Sequence, residues 1–181
     1  MNIQNFTAHP WHGVDPEWKT PMINGIIEIP RGSRVKYEMD KKSGLIKMDR
    51  LLNSSFEYPI NYGFIPKTLG EDGDPLDILV MSFQALVPLC LVQARIIGLM
   101  EMEDCGIKDD KILAVAEHDI SVSHMKSLED IPEHFFNELR NFFEEYTKLE
   151  NKKVIIREFL PLEFASISIE AHLKRYMDSL K

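Results

Sequence analysis

The chain has 181 residues, 21 Lys+Arg against 29 Asp+Glu, 44% hydrophobic and 28% charged residues, the profile of one globular unit and not of a disordered or fibrous chain. At this length a domain buries roughly 70% of the surface its unfolded chain exposes, so it folds without disulfide or metal staples, and any metal is functional. The formal charge of −8 removes the general attraction to phosphate backbones and anionic lipid that nucleic-acid and membrane-surface binders rely on.

The first 22 residues read as an N-terminal arm on a single domain spanning 1–181. They contain no basic start followed by an apolar stretch, so no signal peptide is visible. Short segments rich in branched residues and bounded by turn formers then predict strands at Ile23–Ile29, Arg34–Met39, Leu45–Asp49, Leu76–Met81, Leu91–Glu101 and Lys111–Val115. Asp40-Lys41-Lys42-Ser43-Gly44 predicts a hairpin loop between the second and third. The longest apolar run, Ala85–Val92, is broken by Pro88 and is far shorter than the roughly 20 residues that span a bilayer.

After Pro132 the period changes. Phe135, Phe136, Leu139, Phe142, Phe143, Tyr146 and Leu149 recur at helical spacing, with Pro132 suited to the first turn and Asn151 to the stop. A strand follows at Lys153–Phe159, and Ser166 is read as the cap of a second amphipathic helix carrying Ile169, Leu173, Tyr176, Met177 and Leu180. Strands first and helices later predict an α+β fold, a small OB-like antiparallel β-barrel with flanking C-terminal helices. Cys90 and Cys105 are too few for a disulfide framework or a zinc pattern, which favours a reducing cytoplasm; one bridge between them stays open.

The chemically informative stretch is Glu71-Asp72-Gly73-Asp74-Pro75-Leu76-Asp77. Read as extended, it puts Asp72 and Asp74 on one side, with Pro75 breaking the alternation before Asp77. Crowded carboxylates that stay ionised want a hard cation with oxygen ligands, which implies Mg²⁺. An EF-hand fails on spacing, because its twelfth position is Phe83. Asp residues also cap and bend turns for local reasons, so a solvated acidic turn is the competing reading. The same holds for the loop carrying Asp104, Asp109 and Asp110; two acidic loops at strand ends together suit more than one divalent ion. Lys36 and Glu38 share a sheet face, Arg50 brings a fork that fits phosphate oxygens, and Tyr58, Tyr62 and Tyr146 bring phenolic donors. Two phosphoryl units carry on the order of −3 to −4, so an acidic chain needs bound metal to receive them.

These stretches, I-I-E-I-P at 26–30, V-K-Y-E-M-D-K-K-S-G-L-I at 35–46, Asp49-Arg50, Y-P-I-N-Y-G-F-I-P at 58–66, E-D-G-D-P-L-D at 71–77 and D-D-K-I-L-A-V at 109–115, together resemble the soluble family I inorganic pyrophosphatases. H-P-W-H at 9–12 looks like the plant-type branch; His9 and His12 lack a third ligand nearby and are not read as a metal site. The resemblance implies hydrolysis of diphosphate to two orthophosphates with several Mg²⁺ ions, Asp72, Asp77, Asp104 and Asp109 as metal ligands and Asp74 as general base. It implies Lys36, Arg50, Tyr62 and Tyr146 as phosphate contacts, with Glu28, Glu38, Tyr58 and Lys111 in support. A homo-oligomer is implied, with a hexamer favoured from bacterial relatives. Two departures stand out: Cys105 and Ile107 where polar, acidic or glycine residues are usual, and Thr147 where the family has Lys after the tyrosine. Lys148 is one residue, about 100° of helix, out of place. An OB-type binding module without catalysis and a metal-dependent hydrolase of organic phosphoesters are the alternative functions.

Overall fold

The computed structural model describes residues 9–181; the first eight residues of the expected arm lie outside it. The chain forms β1 (Met22–Ile29), β2 (Val35–Met39), β3 (Ile46–Leu51), β4 (Asn61–Phe64), β5 (Asp77–Met81), β6 (Leu91–Asp104), β7 (Ile107–Lys108), β8 (Lys111–Ala116), α1 (Glu133–Glu145), β9 (Val154–Pro161) and α2 (Leu162–Ser179). Hydrogen bonding runs β1–β4–β5–β8–β6, and β6 returns to β1, so five strands close into a ring. The ring is OB-like and mainly antiparallel, as expected; among the described residues one pair, β5 and β8, runs parallel, with Asp77 level with Lys111, and the other pairings are antiparallel. The intervening β6–β7 segment provides the crossover that a parallel pair requires.

β6 is the organising strand. Its 14 residues pair with β1, β7, β8 and β9, and register shifts near Ile96–Gly98 and Met100–Met102 bend it between these partners. Ring closure also needs Gly63, since a Cβ there would stand 1.9 Å from the Ile26 carbonyl oxygen. Inside, Ile27, Ile78, Val80, Ala94, Ile96, Ile112 and Ala114 form one apolar cluster; α2 adds Ala165 and Ile169 to it. A second cluster joins Leu79, Met100 and Leu113 to Leu139, Phe142 and Phe143, the buried stripe of α1. The β2–β3 hairpin forms a separate two-stranded sheet.

Four local expectations need correction. Asn61–Phe64 is a strand absent from the expected ones, in a stretch where Pro59, Asn61 and Gly63 are poor strand formers. Asn61 is buried, and its amide bonds to the Arg31 and Leu86 N–H groups and the Val80 and Gln84 carbonyls, so the polar residue meets its full hydrogen-bonding capacity. α1 stops at Glu145 with Tyr146 as its cap, so Leu149 falls off the stripe and is exposed. Pro132 caps α1 from outside its first turn. Ser166 caps nothing: α2 already starts at Leu162, and the Ser166 hydroxyl donates back to the Leu162 carbonyl. Asn151 does end its segment, in the left-handed conformation at φ 58°.

The described part of the arm is tied down. Trp11 is buried and donates its indole N–H to the Thr68 carbonyl at 2.8 Å, His12 bonds the Tyr176 hydroxyl at 2.8 Å, and His9 bonds the Lys41 carbonyl at 3.0 Å. Both cysteines are free, so the open bridge does not form.

Candidate active site

The cavity of about 550 Å³ is built from the strand ends on one side of the ring, the β2–β3 hairpin and the end of α1. β2 and β3 place Lys36 level with Arg50. The Lys36 ammonium lies 2.7 Å from Glu38 and 3.6 Å from Asp49. Burial works against its charge, but the Glu38 hydrogen bond and charge outweigh that and hold its pKa above the ordinary value. The parallel register of β5 and β8 sets Lys111 beside Asp77, and its ammonium spans Asp77 and Asp109 at 2.5 Å each. Burial again opposes the charge and the two carboxylates win, so Lys111 stays a cation.

Glu28, from β1, is buried, accepts the Met39 N–H at 2.7 Å, and is pushed up to about 8, chiefly by burial. Tyr58, Tyr62 and Tyr146 form an aromatic wall with Phe142 and Phe143: Tyr146 stacks on Phe142 at 4.8 Å, and Tyr58 sits 5.8 Å from Tyr62 between ring centroids. Burial raises all three phenols, so they remain hydrogen-bond donors at neutral pH.

The acidic loop before β5 is not extended. Gly73 has φ 85°, and the Asp74 N–H bonds back to Asp72 at 3.0 Å, so the pair shares an Asx-type turn instead of a strand face. Asp72 and Asp74 still line the cavity, and Lys41 of the hairpin loop reaches Asp74 at 2.5 Å. In the second acidic stretch Asp104 and Asp109 face the cavity, whereas Glu103 pairs with Arg157 and Asp110 with Lys108. Cys105 and Gly106 both take positive φ in the tight turn from β6 to β7; Cys105 and Ile107 are exposed. Lys148 pairs with Glu145 and lies outside the cavity, and Thr147 is buried, its hydroxyl with no partner among the described residues.

All thirteen residues singled out from sequence therefore line the same cavity: Glu28, Lys36, Glu38, Arg50, Tyr58, Tyr62, Asp72, Asp74, Asp77, Asp104, Asp109, Lys111 and Tyr146. Five charged neighbours were missed, Asp40 and Lys47 of the hairpin among them. Glu150 grips Arg50 through Nε and a terminal nitrogen at 2.8 and 2.9 Å, Lys41 pairs with Asp74, and Lys152 lines the wall. Nothing local marks them, since each is an ordinary charge in a polar turn or hairpin.

The donor set suits a hard cation. Eight carboxyl groups line the cavity against six cationic side chains, every available donor among the Asp residues is oxygen, and Asp104 Oδ1 is buried with no partner among the described residues. Among the described residues no group of three or more His, Cys, Asp or Glu side chains is already gathered as an ion cage. Lys111 instead fills the space between Asp77 and Asp109.

A polar cavity that mixes carboxylates with forked and pointed cations and phenolic donors, on an OB-like ring, defines a hydrolase of small phosphate compounds. Comparison with known proteins narrows the class. The family model described as inorganic pyrophosphatase matches residues 25–177. The soluble inorganic pyrophosphatase of Oryza sativa subsp. indica is 51% identical over 177 residues, covering 97% of this chain and 83% of that protein. Soluble inorganic pyrophosphatase 3 of Arabidopsis thaliana is 48% identical, covering 98% and 83%. The crystal structure of the inorganic pyrophosphatase from Thermus thermophilus superposes with a TM-score of 0.89 at 38% identity, covering 94% of this chain and 99% of that one. The chain belongs to the inorganic pyrophosphatase family.

Proposed function

We propose that this chain hydrolyses inorganic diphosphate to two orthophosphates with Mg²⁺, Asp74 accepting a proton from the attacking water. The observation that carries the reading is the meeting of all thirteen expected side chains, from seven strands, three connecting segments and the end of α1, around one cavity. When bound, magnesium supplies charge against the phosphate oxygens and acidifies water.

Asp72, Asp77, Asp104 and Asp109 hold the ions, with the Asp104 oxygen that has no partner among the described residues as a ready donor. Lys36, Arg50, Tyr62 and Tyr146 bind phosphate oxygens. Arg50 spends three of its five N–H groups on Glu150 and Asp49, which leaves two for substrate. Glu38 and Lys111 orient Lys36 and the Asp77–Asp109 pair, Tyr58 supports Tyr62 and Tyr146, and Glu28 fixes the hairpin through Met39. Asp74 is half exposed on its turn, open to water and positioned by Lys41. We further read the chain as one domain that works in the cytoplasm as a homo-oligomer, with a hexamer favoured.

The test is orthophosphate release from diphosphate at saturating Mg²⁺, run beside Asp74→Asn. The parent turns over. The variant keeps metal affinity within about threefold while losing at least about 100-fold in kcat, as expected on removal of a general base. An inactive parent, or equal turnover in both proteins, refutes the reading.

A further inference from the structure

Almost every cation of the cavity is already committed to a carboxylate. Lys36 pairs with Glu38, Lys41 with Asp74, Lys47 with Glu38, Arg50 with Glu150 and Asp49, and Lys111 with Asp77 and Asp109. Lys152 lines the same cavity, and among the described residues its ammonium makes neither an ion pair nor a side-chain hydrogen bond. A cation facing a polyanion site without a partner keeps all three N–H donors for a ligand and breaks no internal pair on binding it.

The backbone holds Lys152 in place. The buried Thr147 directs its carbonyl at the Glu150 N–H (2.8 Å) and the Lys152 N–H (3.4 Å), and Asn151 takes φ 58° and turns the chain. Two residues later β9 begins at Val154, opposite Asp104 on β6, and Val154 also lines the cavity. The turn is thus pinned on one side by Thr147 and on the other by the strand that carries an aspartate of the site. Lys148, on the same turn, is bound to Glu145 and lies outside the cavity, so the two lysines are not equivalent.

We infer that Lys152 is a further substrate-binding residue, whose ammonium takes a phosphate oxygen of diphosphate. The inference deepens the diphosphatase reading and rests on it. Diphosphate brings on the order of −3 to −4 of charge into a cavity where carboxyls outnumber cations, so one uncommitted ammonium is a large part of the unpaired positive charge the chain offers.

The test measures calorimetric binding of magnesium methylenediphosphonate, a diphosphate analogue that is not hydrolysed, and KM for diphosphate, in the parent, Lys152→Gln, Lys152→Arg and Lys153→Gln. Lys153 removes the same charge one residue away without lining the cavity. The expected result for Lys152→Gln is analogue binding weakened about tenfold and a matching rise in KM, with Lys152→Arg within about threefold of the parent and Lys153→Gln within about twofold. Analogue binding by Lys152→Gln that equals the parent, or that falls no further than in Lys153→Gln, overturns the assignment. A parent that releases no orthophosphate sinks the activity reading, and analogue binding still decides the lysine.

Discussion

Glu28→Gln isolates one buried proton. Glu28 is 9% exposed and its pKa stands at about 8 against an ordinary 4.5, because burial disfavours its charge more than the Met39 N–H favours it. The folded chain therefore holds a proton that the unfolded chain releases, and stability falls as pH rises from about 4.5 to about 8. The full rise corresponds to on the order of 5 kcal/mol, of which about 3 kcal/mol is already lost at pH 7. Glutamine keeps the acceptor for Met39 and removes the ionisation. Urea unfolding at pH 5, 6, 7 and 8 in EDTA is the assay. The variant minus parent difference should grow by about 1 kcal/mol or more per pH unit up to pH 7 and flatten above 8. Parallel profiles across that range would refute the buried-proton argument.

Arg50→Lys cannot reproduce the two-pronged grip of Glu150, whose carboxylate is 15% exposed. KM for diphosphate should rise about tenfold, with a loss of about 1 kcal/mol in unfolding free energy after allowance for partial exposure; a kinetic and thermal match to the parent would disprove the role. Gly63→Ala places a Cβ 1.9 Å from the Ile26 carbonyl oxygen across the β1–β4 pair, where only backbone surrounds it. It should cost more than about 4 kcal/mol and abolish the folded circular-dichroism signal, and a cooperative melt near the parent's would show that the ring opens more easily than its geometry implies.

How much of this was legible beforehand differs by element. The hairpin turn, the aromatic stripe of α1 and most strand cores follow from local periodicity and turn chemistry, which neighbours along the chain decide. β4 was hidden because Asn61 and Gly63 are loop formers whose strand role depends on partners far away: two carbonyls and two N–H groups for the amide, and Ile26 for the glycine. Ser166 misled for the opposite reason, since the helix formers upstream of it had already started α2.

For the site, residue types and spacings in the chain pointed to a kind of chemistry, oxygen-rich side chains beside forks, ammoniums and phenols, and left a solvated acidic turn as the competing reading. Which charge faces which was decided only on folding. Lys111 meets Asp77 because β5 and β8 run parallel and in register, Arg50 meets Glu150 across a hundred positions, and Lys152 is brought to the cavity wall by a turn pinned to Thr147 and β9. The physical reason is range. Backbone preferences and side-chain chemistry act within a few residues, whereas an electrostatic partner is selected by the closure of the ring, and it is that closure which makes scattered charges one receptor.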